Sequence, residues 1–284
     1  MTTLNTRIAA AALGGTLALG TASAIIAQPA AATRDPGPTA VGLSEKGNLV
    51  TFRLDRPQKP TAPRKVTGLV ADTRLVGIDY RAANGLLYGV GEAGGVYTLD
   101  PSTAIATQVS QLTIALDGTS FGVDFNPAAD RLRIVSDTGQ NLRHDVNAGG
   151  VTAMDTALSS PPAVGTTTGV TGAAYTNNDN DPTTGTLLFD LDTTLDQVTA
   201  QAPANNGTLS VTGKLGVDAT GDAGFDVRSE TYAGRTVGNT AWAVLRVGDR
   251  RALYSVDLLT GQATDRGRFP VRTTIVDLAI GLDS

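Results

Sequence analysis

Apolar residues in this chain fall in short runs that alternate with polar ones, and glycine-rich or Asx-rich stretches separate the runs. From residue 76 to residue 111 the pattern predicts four strands, at about 76–80, 86–91, 95–99 and 107–111. Asn84-Gly85 and Gly94-Gly95 supply hairpin turn signals between them. The pattern then repeats. "GIDYRAANGLLYGVGEAGGVYTLD" (77–100) aligns without a gap on "GVDFNPAADRLRIVSDTGQNLRHD" (122–145), at a shift of 45 residues. Four antiparallel strands in a period of that length describe a propeller blade.

The end of the unit recurs five times, closing on Asp55, Asp100, Asp145, Asp192 and Asp257. Turn-like sequence follows each aspartate, whose carboxylate is suited to accept a backbone N–H two residues on. Three residues before the aspartates stand Phe52, Tyr97, Leu142, Phe189 and Tyr254, and one residue before stand Leu54, Leu99, His144, Leu191 and Val256. Between them lie Arg53, Thr98, Arg143, Asp190 and Ser255. This is strand alternation, with large apolar residues on one face. His144 is the only histidine, and it occupies a slot that is Leu or Val in the other units. It is therefore expected to be a neutral packing residue, which leaves a Ser-His-Asp or Cys-His mechanism without its base.

A second cue marks the first strand of each unit: "GIDY" from Gly77, "GVDF" from Gly122, "GAAY" from Gly172, "GFDV" from Gly224, and "IVDLAIG" over 275–281. The first unit has no such strand before it, so the C-terminal strand is expected to complete it and hide the open edges. The expected fold is all-β, a β-propeller of five four-stranded blades with the first blade completed by the C-terminal strand. A β-sandwich and an open β-solenoid are the alternatives. Insertions are expected at 176–185 and at about 192–207.

The stretches "GTSFGVDFNPAADRLRIVSDTGQNLR" (118–143), "GVTGAAYTNN" (169–178) and "NNGTL" (205–209) resemble the bacterial DUF4394 family, and the resemblance covers roughly residues 41–283. It implies an exported, repeat-built β domain and brings no catalytic residues with it.

The N-terminus agrees with export. Arg7 precedes an apolar run over 8–27 and then small residues, the layout of a secretory signal over 1–32 cleaved between about 24 and 32. A linker is expected over 33–40 and the propeller over 41–284. The expected destination is extracellular or the cell envelope (periplasm). With no cysteine there is neither a disulfide nor a lipidated thiol. No second hydrophobic segment suggests a span in the mature chain, and a monomer is expected. A net charge of -5 argues against nucleic acid. The last fifth does gather Arg246, Arg250, Arg251, Arg266, Arg268 and Arg272, with Asp249, Asp257 and Asp265 between them, which reads as charged hairpin loops.

Two sets of residues are candidates for chemistry. Asp79, Asp124 and Asp226 recur on the predicted inner strand, with Ala174 in the fourth unit. Lining a channel, they would bind a ligand or cation, or act as acid and base on a glycoside. Bonded to the backbone of a neighbouring blade, they would be structural. Asn177, Asp179 and Asp181 alternate like the start of a calcium loop, but Pro182 and Leu188 stand where that loop wants Gly and an acid. No metal site is assigned, and calcium is the one cofactor the composition would admit. No zinc-ligand cluster, phosphate loop or nucleotide fingerprint is present. The leading expectation is a non-catalytic exported propeller that binds a glycan, peptide or envelope partner. The alternatives are a polysaccharide hydrolase or lyase using channel carboxylates, with or without calcium, and a structural envelope or matrix component.

Overall fold

The computed structural model describes residues 37–181 and 183–283. The expected leader over 1–32 lies outside the described residues, as do positions 33–36 of the linker and Pro182 of the acidic loop.

The strands form five four-stranded antiparallel sheets. Blade 2 comprises β4 (Leu75–Tyr80), β5 (Leu87–Gly91), β6 (Gly95–Leu99) and β7 (Ala106–Gln111), each within a residue or so of the expected bounds. Its turns use Gly85 and Gly94 at φ 69° and 86°, a region closed to most side chains. Blade 3 comprises β8 (Phe121–Asn126), β9 (Arg131–Ser136), β10 (Asn141–His144) and β11 (Thr152–Met154). Blade 4 comprises β12 (Val170–Tyr175), β13 (Leu188–Asp192), β14 (Gln197–Gln201) and β15 (Leu209–Lys214). Blade 5 comprises β16 (Gly224–Tyr232), β17 (Arg235–Val247), β18 (Arg250–Val256) and β19 (Ala263–Arg268).

Blade 1 is built from both parts of the chain. Strand β20 (Ile275–Ile280) pairs antiparallel with β1 (Thr39–Ser44), and β2 (Asn48–Arg53) and β3 (Arg64–Lys65) follow. The inner strands then touch in a closed cycle, β20 to β4 to β8 to β12 to β16 and back to β20. The fold is a five-bladed β-propeller whose first blade is closed by the C-terminal strand.

Alternation explains how the ring packs. Each sheet has two buried faces, and the apolar residues sort into five clusters, one per seam. Val41 and Leu43 of blade 1 meet Tyr97 and Leu99 of blade 2, for example, and Phe189 and Leu191 of blade 4 meet Tyr254 and Val256 of blade 5. Glycine sets the spacing at the centre. A Cβ on Gly172 would lie 2.8 Å from Phe225, and one on Gly224 2.8 Å from Asp277, so neighbouring inner strands approach only because these positions lack a side chain.

The repeat register is corrected in blade 4. Asp55, Asp100, Asp145 and Asp257 follow the third strands of their blades, but Asp192 ends β13, the second strand. The expected insertion at 192–207 therefore holds β14, the true third strand. Its buried Gln197, Thr199 and Gln201 gave it the polar look of a loop. The turn chemistry is as expected for Asp100, Asp145, Asp192 and Asp257, each of which accepts the N–H two residues on. Asp55 instead binds the Arg53 guanidinium.

Deleting residues 272–284 removes β20 and exposes an edge of blade 1 as well as two seams. The truncated chain is expected to aggregate or to lose its cooperative melt in circular dichroism and size-exclusion chromatography. A stable monomer with an unchanged melting temperature would contradict ring closure by β20.

Candidate functional site

An inner strand pairs with its own sheet on one side only. On the other side its N–H groups face the axis with no ladder partner, and a buried N–H without a partner costs about 1–3 kcal/mol. Aspartate supplies the acceptors. Asp79 Oδ2 accepts the Phe125 N–H of blade 3 at 2.7 Å, and Asp124 Oδ1 accepts the Tyr175 N–H of blade 4 at 3.1 Å. Asp226 Oδ2 accepts the Ile280 N–H of blade 1 at 2.6 Å. In each case the carboxylate reaches the amide just after the corresponding slot of the next blade, so Ala174 and Ala279 hold that slot in blades 4 and 1.

Where the slot is alanine, the next blade compensates. After Ala174, the Val227 N–H is taken by the adjacent Asp226 Oδ1. After Ala279, the Tyr80 N–H bonds to the neighbouring Asp79 carboxylate. Asp277, two residues before Ala279 on the same face, reaches across to the Ile78 N–H at 2.7 Å. Axial carboxylates thus link four of the five seams, and the seam between blades 4 and 5 combines its apolar cluster with hydrogen bonds made by its loops.

These acids are buried together. One oxygen from each of Asp79, Asp124 and Asp226 lies within 4.8 Å of the others, the arrangement expected if the recurring positions converge. Asp124 Oδ2 has no hydrogen-bond partner among the described residues, although Asp124 is 1% exposed. The main influences on them are burial, the neighbouring carboxylates and the backbone hydrogen bonds they accept. Burial first, then the neighbouring carboxylates, pushes Asp79 and Asp124 well above the ordinary carboxylate range. Burial does the same to Asp277 and raises Asp226 to about 7. Tyr80 is pushed up by burial and by the Asp79 and Asp226 charges.

The other sequence candidates lie elsewhere. His144 is fully buried, between Ser110 Oγ at 2.8 Å from Nε2 and Thr152 Oγ1 at 3.0 Å from Nδ1. Burial lowers its pKa, which keeps the ring neutral. Leu99 and Val256, which hold the same register position on the third strands of blades 2 and 5, are buried like it, whereas Leu191 lies on the second strand of blade 4. In the acidic loop every side-chain oxygen of Asn177, Asp179 and Asp181 accepts a hydrogen bond. The donors include Asn239, the Thr236 N–H and Arg235, all on β17, so the loop is fastened to the long hairpin of blade 5.

Two buried residues were not singled out from the sequence. Arg133, 2% exposed, donates to Tyr175, Asn141, Asp155 and Asn205, tying blade 3 to blade 4. Asp190 is fully buried, burial pushes its pKa well up, and neither of its oxygens has a partner among the described residues. In the pairing register its slot holds Gly42, Gly89, Ile134 and Ala243 in the other blades. An acid in an apolar slot is a signal the sequence contained, but the misplaced register of blade 4 hid it.

Above the acids, one end of the axis opens into a cavity of about 810 Å3. Tyr80, Asn84, Asn178, Asn180 and Asp283 line it, contributed by the β4–β5 and β12–β13 loops and the segment after β20. The β16–β17 turn closes another side with Ala233 and Gly234.

Two substitutions test this assignment. His144→Leu is expected to retain the fold and any binding activity, read by circular dichroism; a folded variant without activity would contradict a packing role. For the acids, raised pKa values mean that the folded state holds protons the unfolded chain releases. Their stabilising contribution is complete below about pH 4 and declines as pH rises, through about 7 for Asp226. Asp124→Asn keeps an acceptor for Tyr175 and is neutral without taking up a proton on folding, so it should raise the melting temperature at pH 8 and flatten its decline between pH 5 and 8. Asp124→Ala orphans the Tyr175 N–H and should cost about 1–3 kcal/mol. A destabilised Asn variant at pH 8 would overturn the proton-holding account.

No helix among the described residues is long and apolar enough to cross a membrane. No curated protein matches the chain. Among solved structures, a chain of a nidogen/laminin complex is similar at 12% identity, covering 87% of this chain and 99% of that one, with a TM-score of 0.49. A structural genomics protein of unknown function from Bacteroides thetaiotaomicron is similar at 14% identity, covering 85% of this chain and 66% of that one, with a TM-score of 0.48. An auxiliary nutrient binding protein from Bacteroides ovatus is similar at 15% identity over 78% of this chain and 57% of that one, with a TM-score of 0.39. The family described as Domain of unknown function (DUF4394) matches residues 48–279, which include the inner aspartates, the Arg133 network and the whole of blades 2 to 5, and the chain belongs to that family.

Proposed function

We propose that the protein is a non-catalytic exported propeller that binds a glycan, peptide or envelope partner through the loops at one end of the ring. Membership of the DUF4394 family fits the extracellular or cell-envelope location expected from the N-terminal sequence. The observation that supports the binding reading is the division of labour along the axis. The recurring carboxylates accept neighbouring backbone amides, while the space above them is a cavity of about 810 Å3 lined by polar and apolar residues alike. That size suits a small ligand or the end of a chain-like one. Its amide and carboxylate groups suit hydroxyl-rich or peptide ligands, whose donors and acceptors they match.

Ala83 lines the cavity and is exposed, so Ala83→Trp fills the mouth without removing a hydrogen bond. Screening the full chain against immobilised glycans and peptides is expected to give a binder. Ala83→Trp is expected to weaken that binder at least about tenfold, or about 1.4 kcal/mol, at an unchanged melting temperature. Unchanged binding by the folded variant would contradict this end of the ring as the site.

One observation favours the second reading, a hydrolase or lyase using channel carboxylates with a cation. Three acid oxygens lie within 4.8 Å of one another, and Asp124 Oδ2 is buried without a partner. Thermal unfolding with calcium and then with EDTA separates the two readings, because a ligand of the folded state raises the melting temperature. The binding reading expects no calcium-dependent shift. A shift abolished by Asp124→Asn would favour the cation reading instead.

A further inference from the structure

At the other end of β17 the surface chemistry is inverted. Where β17 turns into β18, and β19 leads towards β20, a second cavity of about 500 Å3 is lined by Arg246, Arg250, Arg251 and Arg268. Two acids, Glu45 and Asp249, share it, so guanidiniums outnumber carboxylates two to one in a chain whose net charge is -5.

The strand register makes this more than a run of charged loops. Arg246 stands directly opposite Arg251 across the β17–β18 ladder. Like charges placed so are destabilising unless something neutralises them. Arg251 cannot relieve the repulsion by moving into water, because its side chain is only 10% exposed. Its protein partners are few. It donates to the Asp222 carbonyl at 3.0 Å, and the Asp222 carboxylate stands off at 3.8 Å while also accepting from Ser120. Arg246 is exposed, and among the described residues its side chain donates only to Thr220 Oγ1, at 3.2 Å. Arg250 and Arg268 are exposed, and neither side chain makes a hydrogen bond or ion pair among the described residues.

We propose that this cavity is an oxyanion site, which takes the carboxylate, sulfate or phosphate group of a ligand docked at the end of blade 5. Planar guanidiniums suit these groups because their paired N–H donors match two oxygens at once. An oxyanion there neutralises the Arg246–Arg251 pair and gives Arg250 and Arg268 an acceptor. The site is separate from the axial cavity, since the β16–β17 turn that walls the latter lies at the opposite end of β17.

The experiment titrates the full chain with sodium sulfate, sodium phosphate or a uronate oligosaccharide at constant ionic strength set by sodium chloride. Calorimetric affinity and melting temperature are both read. Saturable binding of at least one oxyanion is expected, with chloride inert. A preference for sulfate or phosphate indicates an ester anion as the natural group, and a preference for uronate a sugar carboxylate. Sulfate and phosphate also stabilise proteins without binding a site, so variants decide the matter. Arg246→Gln is expected to melt at the same temperature as the parent or higher without anion, because the repulsion is relieved. It is also expected to bind at least about tenfold more weakly. Arg250→Gln, at an exposed position, is expected to weaken binding with no change in fold. The proposal is overturned if no oxyanion binds saturably, or if both variants keep the parental affinity.

Discussion

The inner edge of every blade presents backbone N–H groups to the axis, where no strand pairs with them. Five such edges meet in the ring, and nothing in a blade's own sheet can satisfy them. Asp79, Asp124, Asp226 and Asp277 solve this by reaching into the next blade, so one side chain both satisfies a buried donor and ties two blades together. The glycines at 77, 122, 172 and 224 belong to the same solution, because the carboxylates span the seam only if the inner strands lie close. Closure by β20 belongs to it as well, since its Ile280 N–H is the donor in the Asp226 link.

The solution has an electrostatic consequence. Several carboxyls share a buried volume without a basic partner, so burial and mutual repulsion favour their protonated forms. Charge on the axis is thereby held down by the fold, and ring stability depends on pH. The surface where ligands can be selected is left to the strand ends. At one end the Asn177–Asp181 loop is bonded onto the long β16–β17 hairpin and builds a polar wall. At the other, β17 and β18 oppose two arginines. Blade 5, with its long strands, shapes both ends.

Much of this was legible in the sequence because the repeat imposes the same physical demand at each turn of the chain. The 45-residue register located the inner aspartates, and comparison of slots placed His144 among buried leucines. The missing first strand and the surplus last one gave the closure. What escaped detection lies where blades differ. In blade 4 the motif ending at Asp192 sits on the second strand, and the polar residues of β14 face a buried seam, so periodicity misplaced a strand. That slip concealed Asp190. Asp277 departs by two residues from the slot of its counterparts, which no alignment of short cues resolves. The Arg133 network joins residues up to 72 positions apart, and that proximity exists only in the folded ring.

The central claim is that axial carboxylates hold the inner-strand amides of neighbouring blades. Residue-resolved hydrogen exchange tests it most directly, because amides that face an axis without acceptors would exchange through local fluctuation. The account predicts that the Ile78, Phe125, Tyr175 and Ile280 amides exchange only through global unfolding, with protection matching the stability of the whole domain. Rapid exchange at these four amides, with the ladder amides of β5, β9, β13 and β1 still protected, would contradict it.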